Sequence, residues 1–338
     1  MRIAIISPYS YGPMRGNITT VRRIASALEG KGVEIVVLAV DVMSVAEMAV
    51  RLHSFKPDAI HAFHAGLCGD VACHLAGELN VTCLITITGS DVNEPLFRER
   101  VSTRQAMETA AAIVCFDDGV AAQVVSFFPG ITGQIAVIPQ GVQPLSLISG
   151  VGCDIPEDAF VVLLPAALRP VKNIEFPLRA LAPLALEHEK LLLVIAGGVI
   201  DQIYAERIRE ILVDAPFATW LGEVPYEEMG ALYMRADVVL NCSHFEGMPN
   251  SLLEAMAMGR TVLAADIPGN LCLVRDGETG WLYRDAAEFL ALMSRLINDT
   301  TLRAEVGVRA REYVQSDFSA LIEAERYIEL YTSLCVAA

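Results

Sequence analysis

The stretch His244–Gly259, HFEGMPNSLLEAMAMG, decides the reading of this chain. The apolar run Val238-Val239-Leu240 before it has the length and composition of a short buried strand. A loop carrying Glu246 and Gly247 follows, and Met248-Pro249-Asn250 leads into a helix expected from Ser251 to Met258. Pro at the start of that helix and Gly259 just past its end are ordinary start and stop signals. One carboxylate, Glu246, is thereby placed in a loop above a strand's carboxyl end, and a second, Glu254, lies eight positions on in the helix. The free N–H groups of the helix start point back at the loop and favour an anion there. Carboxylates that grip hydroxyls, beside donors that grip phosphate, fit a sugar nucleotide. They fit equally well a surface carboxylate and a glutamate placed for the helix dipole, and the pair alone leaves both readings open.

At 338 residues the chain is long enough for two domains, each with its own core. An apolar fraction of 54% argues for a buried globular protein and against disorder. The net charge of −16 is uneven: residues 1–150 carry 10 Lys/Arg against 13 Asp/Glu, residues 151–338 carry 15 against 28. No basic footprint for nucleic acid is visible, and no polybasic cluster or apolar run of membrane-spanning length. The eight cysteines include no C-x-x-C pair and lie mostly in apolar runs. With no signal peptide in view, they read as reduced core thiols of a cytoplasmic protein, with no zinc site.

Taken in order, RIAIIS (Arg2–Ser7) suits a fully buried parallel strand. The loop YSYGPMRGNIT leads to a helix expected from Ile18 to Glu29, with Gly12 and Gly16 permitting close approach and Asn17 as its N-cap. Strand, glycine loop and helix start together mark a doubly wound domain with a phosphate-seeking helix terminus. The spacing is not G-x-G-x-x-G, which disfavours a nicotinamide cofactor. Further strands are expected at Glu34–Val40, Ala59–Ala62, Cys83–Thr88, Ala112–Cys115 and Ile135–Pro139, alternating with helical stretches. His61 and His64 end one strand, while TITGSDVNE sets Thr88, Gly89, Ser90 and Asp91 at the end of another. Asp91 either serves chemistry or holds a loop amide. A linker is expected over 144–158, with Pro144, Gly150, Gly152 and Pro156.

A second α/β unit then begins with the strand Phe160–Pro165, the loop AALRPVKN and a helix expected over Ile174–Leu186, capped by Asn173 with Pro177 near its first turn. Strands Leu191–Ile195, Thr219–Leu221 and Thr261–Ala264 follow, and a helical stretch from Ala287. The final run FSALIEAERYIELYTSLC has apolar residues at helical spacing. Its face including Leu321, Ile328 and Leu330 is expected to pack on the first domain.

Residues 244–259 resemble the signature of the retaining GT-B glycosyltransferases of group 1, family four, in which two glutamates separated by seven residues flank the donor. The matching residues are Glu246, Gly247, Pro249, Leu253, Glu254, Ala255, Met256 and Gly259. TVLAADIPGNLCLVRDGETGWLY resembles the family's next strand and its G-x-x-G-x-L segment, and VIPQGVQ the last strand of its first domain. The resemblance implies a GT-B fold, two doubly wound Rossmann-like domains facing across a cleft. These are an acceptor-side domain over 1–145, a nucleotide-sugar donor domain over 158–316, and a helix over 317–338 crossing back to the first.

The same resemblance implies metal-independent, hexosyltransferase-type transfer of a sugar from a nucleoside diphosphate sugar to an unspecified acceptor, with retention and no cofactor. It puts Glu254 on the ribose hydroxyls, Glu246 on the transferred sugar, and Arg169 and Lys172 on the diphosphate. Gly247, Met248, Pro249, Gly16, Asn17 and Val224 fall on the donor-binding side. Thr88, Asp91 and His64 fall on the acceptor side, where Thr88 replaces a histidine frequent in the family. A nucleotide-sugar epimerase of the same fold, or a non-catalytic nucleotide-sugar-binding paralogue, are the alternatives.

Overall fold

The structure, a computed structural model, describes residues 1–10, 16–143, 145–147 and 155–337. Gly12, Pro144, Gly150, Gly152 and Cys153 lie outside the described residues. The chain divides into two compact units, Met1–Gly141 with Phe318–Ala338, and Val142–Asp317.

The first unit is built on a six-stranded parallel sheet: β1 (Arg2–Ser7), β2 (Glu34–Ala39), β3 (Ala59–Phe63), β4 (Thr82–Thr86), β5 (Ala112–Cys115) and β6 (Gln134–Val137), in the order β2-β1-β3-β4-β5-β6. Parallel strands covered on both faces need apolar residues at successive positions, and the period of two then sorts them between the faces. Ile3 and Ile5 pack with Val21, Ile24 and Leu28 of the Gly16–Glu29 helix, while Ala4 and Ile6 join Met48, Leu52, Leu75 and Met107 on the other side. That first helix begins at Gly16, so Asn17 lies within its first turn and does not cap it.

The last helix, Ala320–Ala337, belongs to this unit. Ala320, Ala324, Tyr327 and Tyr331 form its buried stripe, with Leu330 beside them and Ile328 at the edge. Leu321 corrects the sequence expectation. One residue on from Ala320 means about 100° round the helix axis, which leaves Leu321 59% exposed. Glu323, 2% exposed, pairs with Arg23 of the first helix, Nε to Oε2 and Nη2 to Oε1 both at 3.0 Å. Arg23 Nη2 and the Thr20 hydroxyl also donate to Gln140 Oε1.

The second unit carries β7 (Phe160–Pro165), β8 (Leu191–Ala196), β9 (Ala218–Trp220), β10 (Val238–Asn241), β11 (Thr261–Ala265) and β12 (Trp281–Tyr283), all parallel, in the order β12-β11-β10-β7-β8-β9. The chain runs outward from β7 to β9, then returns and adds β10 against the other side of β7. Strand order therefore reverses between β7 and β10, and a crevice opens at the carboxyl ends of such a pair.

The helix expected over Ile174–Leu186 is two shorter ones, Glu175–Ala180 and Ala182–Glu187. Pro183 has no N–H to continue the ladder, so the chain breaks at Leu181. Asn173 is not its cap. It sits in the left-handed region at φ 49°, closing the tight turn Pro170–Lys172. The structure adds to the sequence reading the helices Gln202–Val213, Tyr226–Arg235 and Thr300–Asp317 and the short β12. No described helix is long and apolar enough to cross a membrane, and the seven described cysteines are free thiols.

The Arg23–Glu323 pair predicts a large penalty when one partner is removed. Glu323→Ala takes away both carboxylate oxygens that pair with Arg23 and leaves it the neutral Gln140 oxygen, and breaking a buried pair in this way typically costs about 3–5 kcal/mol. Urea denaturation of Glu323→Ala should show a loss of that size, and an unchanged midpoint would mean the pair does not hold the last helix in place.

Candidate functional site

Arg169 and Lys172 come from the turn that follows β7, and Glu246 from the loop that follows β10. The two loops are tied by a backbone bond, His244 N–H to the Val171 carbonyl at 2.9 Å. Behind them Gly269 presses on the Glu246 loop. A Cβ built there would lie 2.4 Å from the Glu246 carbonyl oxygen and 2.7 Å from that of Gly247. Only glycine allows this approach, and it sets how closely the Glu246 loop packs on the Pro268–Leu271 turn of helix.

Within this frame Glu246 Oε1 accepts three hydrogen bonds: from Lys172 Nζ at 2.6 Å, Ser243 Oγ at 2.6 Å and Asn241 Nδ2 at 3.3 Å. Asn241 is oriented in turn, since its Oδ1 accepts from the Ser243 N–H at 3.2 Å and from Asn270 Nδ2 at 3.4 Å. One carboxylate oxygen is thus fully engaged, and Oε2 has no hydrogen-bond partner among the described residues. Burial pushes the Glu246 carboxyl up. The Lys172 charge and the bonds from Lys172, Ser243 and Asn241 outweigh it, and the group stays below its ordinary value of 4.5.

Beside this pair, Arg169 makes no ion pair among the described residues, and its Nε is buried with no hydrogen-bond partner. An orphaned guanidinium donor is costly, and a bound anion would relieve it. Asn241 and Ser243 were not singled out in the sequence, although two polar residues at alternate positions beyond an apolar strand end are a readable signal.

Glu254 is 6% exposed in the helix Asn250–Ala257, where Oε2 accepts from the hydroxyl of Tyr233 at 2.8 Å. Tyr233, on the helix Tyr226–Arg235, had no sequence signal to distinguish it from an ordinary core tyrosine. Gly247, Met248 and Pro249 are buried in the loop between Glu246 and that helix, with Pro249 as its N-cap. Val224 is 4% exposed just before the Tyr226–Arg235 helix.

In the first unit, His64 and Thr88 lie in the loops that follow β3 and β4, and β3 flanks that sheet's own reversal point at β1. The Asp91 carboxylate accepts from the backbone N–H groups of Ala65 at 3.1 Å, Thr88 at 3.1 Å and Gly89 at 2.8 Å. It thereby staples the two loops. His64, 1% exposed, adopts φ 82°, ψ 104°, a strained conformation for a non-glycine residue. Its Nε2 lies 2.9 Å from Ser90 Oγ, while His64 Nδ1 and Thr88 Oγ1 are buried with no partner. The His61 ring nitrogens each lie 2.7 Å from a hydroxyl, that of Tyr331 and that of Thr86, and burial lowers its pKa to about 3.

Residues 159–299 match the family model described as glycosyl transferases group 1. Along its length the chain is 26% identical to the glycosyltransferase 1 domain-containing protein 1 of Xenopus tropicalis, over 95% of each chain. Its fold is similar to that of sucrose-phosphate synthase from Thermosynechococcus elongatus, at 21% identity and a TM-score of 0.85 over 100% of both chains. It is also similar to Anabaena HepE in complex with UDP and glucose, at 18% identity and a TM-score of 0.80 over 99% of this chain and 100% of that one.

The state of Glu246 predicts an acid limb in stability. A carboxyl whose folded pKa is depressed contributes fully above its unfolded value, here about 4.5, and that contribution is lost as pH falls through the lower folded value. Denaturation measured from pH 7 to pH 3 should therefore fall less steeply below pH 5 in Glu246→Gln than in the parent protein. Identical slopes would mean that Lys172 does not hold the carboxylate charged.

Proposed function

We propose a specific reaction for this chain, which carries a group 1 glycosyltransferase domain on a GT-B fold: transfer of a sugar from a nucleoside diphosphate sugar to an acceptor hydroxyl, with retention of configuration and without a metal. The observation that carries the reading is the pair of cations after β7, with Arg169 unpaired and partly buried beside the Lys172–Glu246 ion pair. A diphosphate in such a crevice needs counter-charge, and a guanidinium fork and an ammonium supply it. Lys172 has three N–H donors, so the one given to Glu246 leaves two for phosphate oxygens.

In the proposed reaction the acceptor hydroxyl attacks the anomeric carbon from the face on which the diphosphate departs. The bond from that carbon to the phosphate oxygen breaks, its electron pair goes to the diphosphate, and the acceptor's proton passes to the same phosphate oxygen. Arg169 and Lys172 stabilise the charge growing on the leaving group, an electrostatic contribution that needs no protein nucleophile. Glu246, fixed through Oε1, offers Oε2 to the hydroxyls of the transferred sugar, and Glu254 takes the ribose hydroxyls. Gly247, Met248 and Pro249 fall on the donor side of this assignment, with Gly16, Asn17 and, near the base, Val224. His64 and Thr88 are assigned to the acceptor, with Asp91 as their scaffold. Burial first, with the charge of Arg100 adding to it, lowers the His64 pKa against the pull of Asp91 and Glu94, so its ring is neutral at neutral pH and able to accept a hydrogen bond or a proton.

The test is turnover of UDP-, GDP- and ADP-sugars with a panel of hydroxyl acceptors. Arg169→Ala and Lys172→Ala should each lower kcat about 10²–10³-fold, the usual loss for one stabiliser of a developing charge. A chelator should leave the rate unchanged. Near-normal turnover in both variants, or activity abolished by chelation and restored by Mg²⁺ or Mn²⁺, would contradict the mechanism.

A further inference from the structure

Tyr233 is fully buried and is among the largest side chains with no exposure. Phenylalanine would fill that space without placing a hydroxyl in the core. A buried hydroxyl without a partner costs on the order of 1–3 kcal/mol, so the oxygen must be engaged. Its one hydrogen bond among the described residues goes to Glu254 Oε2, at 2.8 Å. The ring itself has little freedom to follow a moving carboxylate. The Tyr226–Arg235 helix buries Met229 and Leu232. Its Gly230 lies so close to the 145–146 segment that a Cβ there would come within 2.0 Å of the Ser146 carbonyl oxygen. The other partner is just as constrained at its base. Six of the eight residues of the Asn250–Ala257 helix are buried, Glu254 among them.

A glutamate side chain has three rotatable bonds, and a buried backbone does not by itself fix the plane of its carboxylate. The hydrogen bond from Tyr233, carried on a second buried helix, restrains where the Glu254 Oε2 lies. We propose that Tyr233 is a positioning residue for the nucleotide, its hydroxyl holding the Glu254 carboxylate in the orientation that receives the ribose diol of the donor. This rests on the assignment of Glu254 to the ribose made above. The bond is also charge-assisted: burial, and after it the Glu254 charge, push the Tyr233 phenol well above its ordinary pKa, so it stays a donor throughout the working pH range.

A structural role alone and a positioning role differ in what they do to ribose recognition. Binding of UDP, GDP and ADP, each beside its 2′,3′-dideoxy analogue, is measured by calorimetry on the parent protein, Tyr233→Phe and Glu254→Gln, with thermal unfolding in parallel. The parent protein should prefer the ribonucleotide of its own base by about 10–100-fold, the scale of hydrogen bonds to a charged group. Tyr233→Phe should shrink that preference at least about fivefold while keeping most of the affinity for the dideoxy form. Glu254→Gln, whose amide oxygen still accepts from Tyr233, should fold normally and lose the preference by losing the charge. A Tyr233→Phe protein that melts earlier but keeps the full ribose preference overturns the positioning role and leaves the Glu254 assignment intact. A parent protein that binds these nucleotides with no ribose preference overturns the Glu254 assignment, and the role of Tyr233 with it.

Discussion

The second unit depends on one charge pair, Lys172 Nζ at 2.6 Å from Glu246 Oε1, held where the order of its sheet reverses. Both side chains are largely withdrawn from water, at 17% and 12% exposure. Such a pair is stabilising only when further hydrogen bonds complete it. Ser243 and Asn241 complete it on the carboxylate, and Asn270 and the Ser243 N–H hold Asn241. Everything around the pair serves this arrangement: the bond from His244 to Val171 closes the two loops, and Gly269 lets the Glu246 loop settle against its neighbour. Arg169 stands outside it, with a buried Nε donor unmet. A bound anion is the chemical partner that such a guanidinium donor lacks.

The first unit shows how differently polar groups are used when they serve the fold. His61, Thr86, Tyr327 and Tyr331 satisfy one another deep under the last helix, and Arg23, Glu323, Gln140 and Thr20 do the same beside them. His64 is only three residues from His61, yet its backbone is strained and one ring nitrogen has no partner. The difference between the two histidines is the difference between a side chain inside the sheet and one just past its carboxyl edge, where doubly wound folds place their ligands.

Much of the fold was legible in the sequence because parallel strands buried on both faces must read as unbroken apolar runs. RIAIIS and FVVLLP are strands residue for residue. What stayed hidden depends on finer geometry. Pro183 divided a helix whose apolar pattern looked continuous, and Leu321 fell on the outer side of a helix whose buried stripe begins one residue earlier. β12 is three residues long, and the helix Thr300–Asp317 buries only Val306, Gly307, Ala310 and Val314, too thin a stripe to stand out. In the site, Glu246 and Lys172 are 74 positions apart, and spacing alone could not join them; the resemblance assigned one to the sugar and the other to the diphosphate and gave no contact between them. Tyr233 was silent because a tyrosine on an apolar helix face looks the same whether its hydroxyl faces water or a carboxylate.

The central claim is that the crevice between β7 and β10 receives a diphosphate through Arg169 and Lys172. A crystal structure of the protein with a nucleoside diphosphate sugar tests it most directly. The account predicts diphosphate oxygens within hydrogen-bond distance of the Arg169 guanidinium and Lys172 Nζ, with Glu246 Oε2 on a sugar hydroxyl. A diphosphate bound elsewhere, with Arg169 still unpartnered, would contradict it.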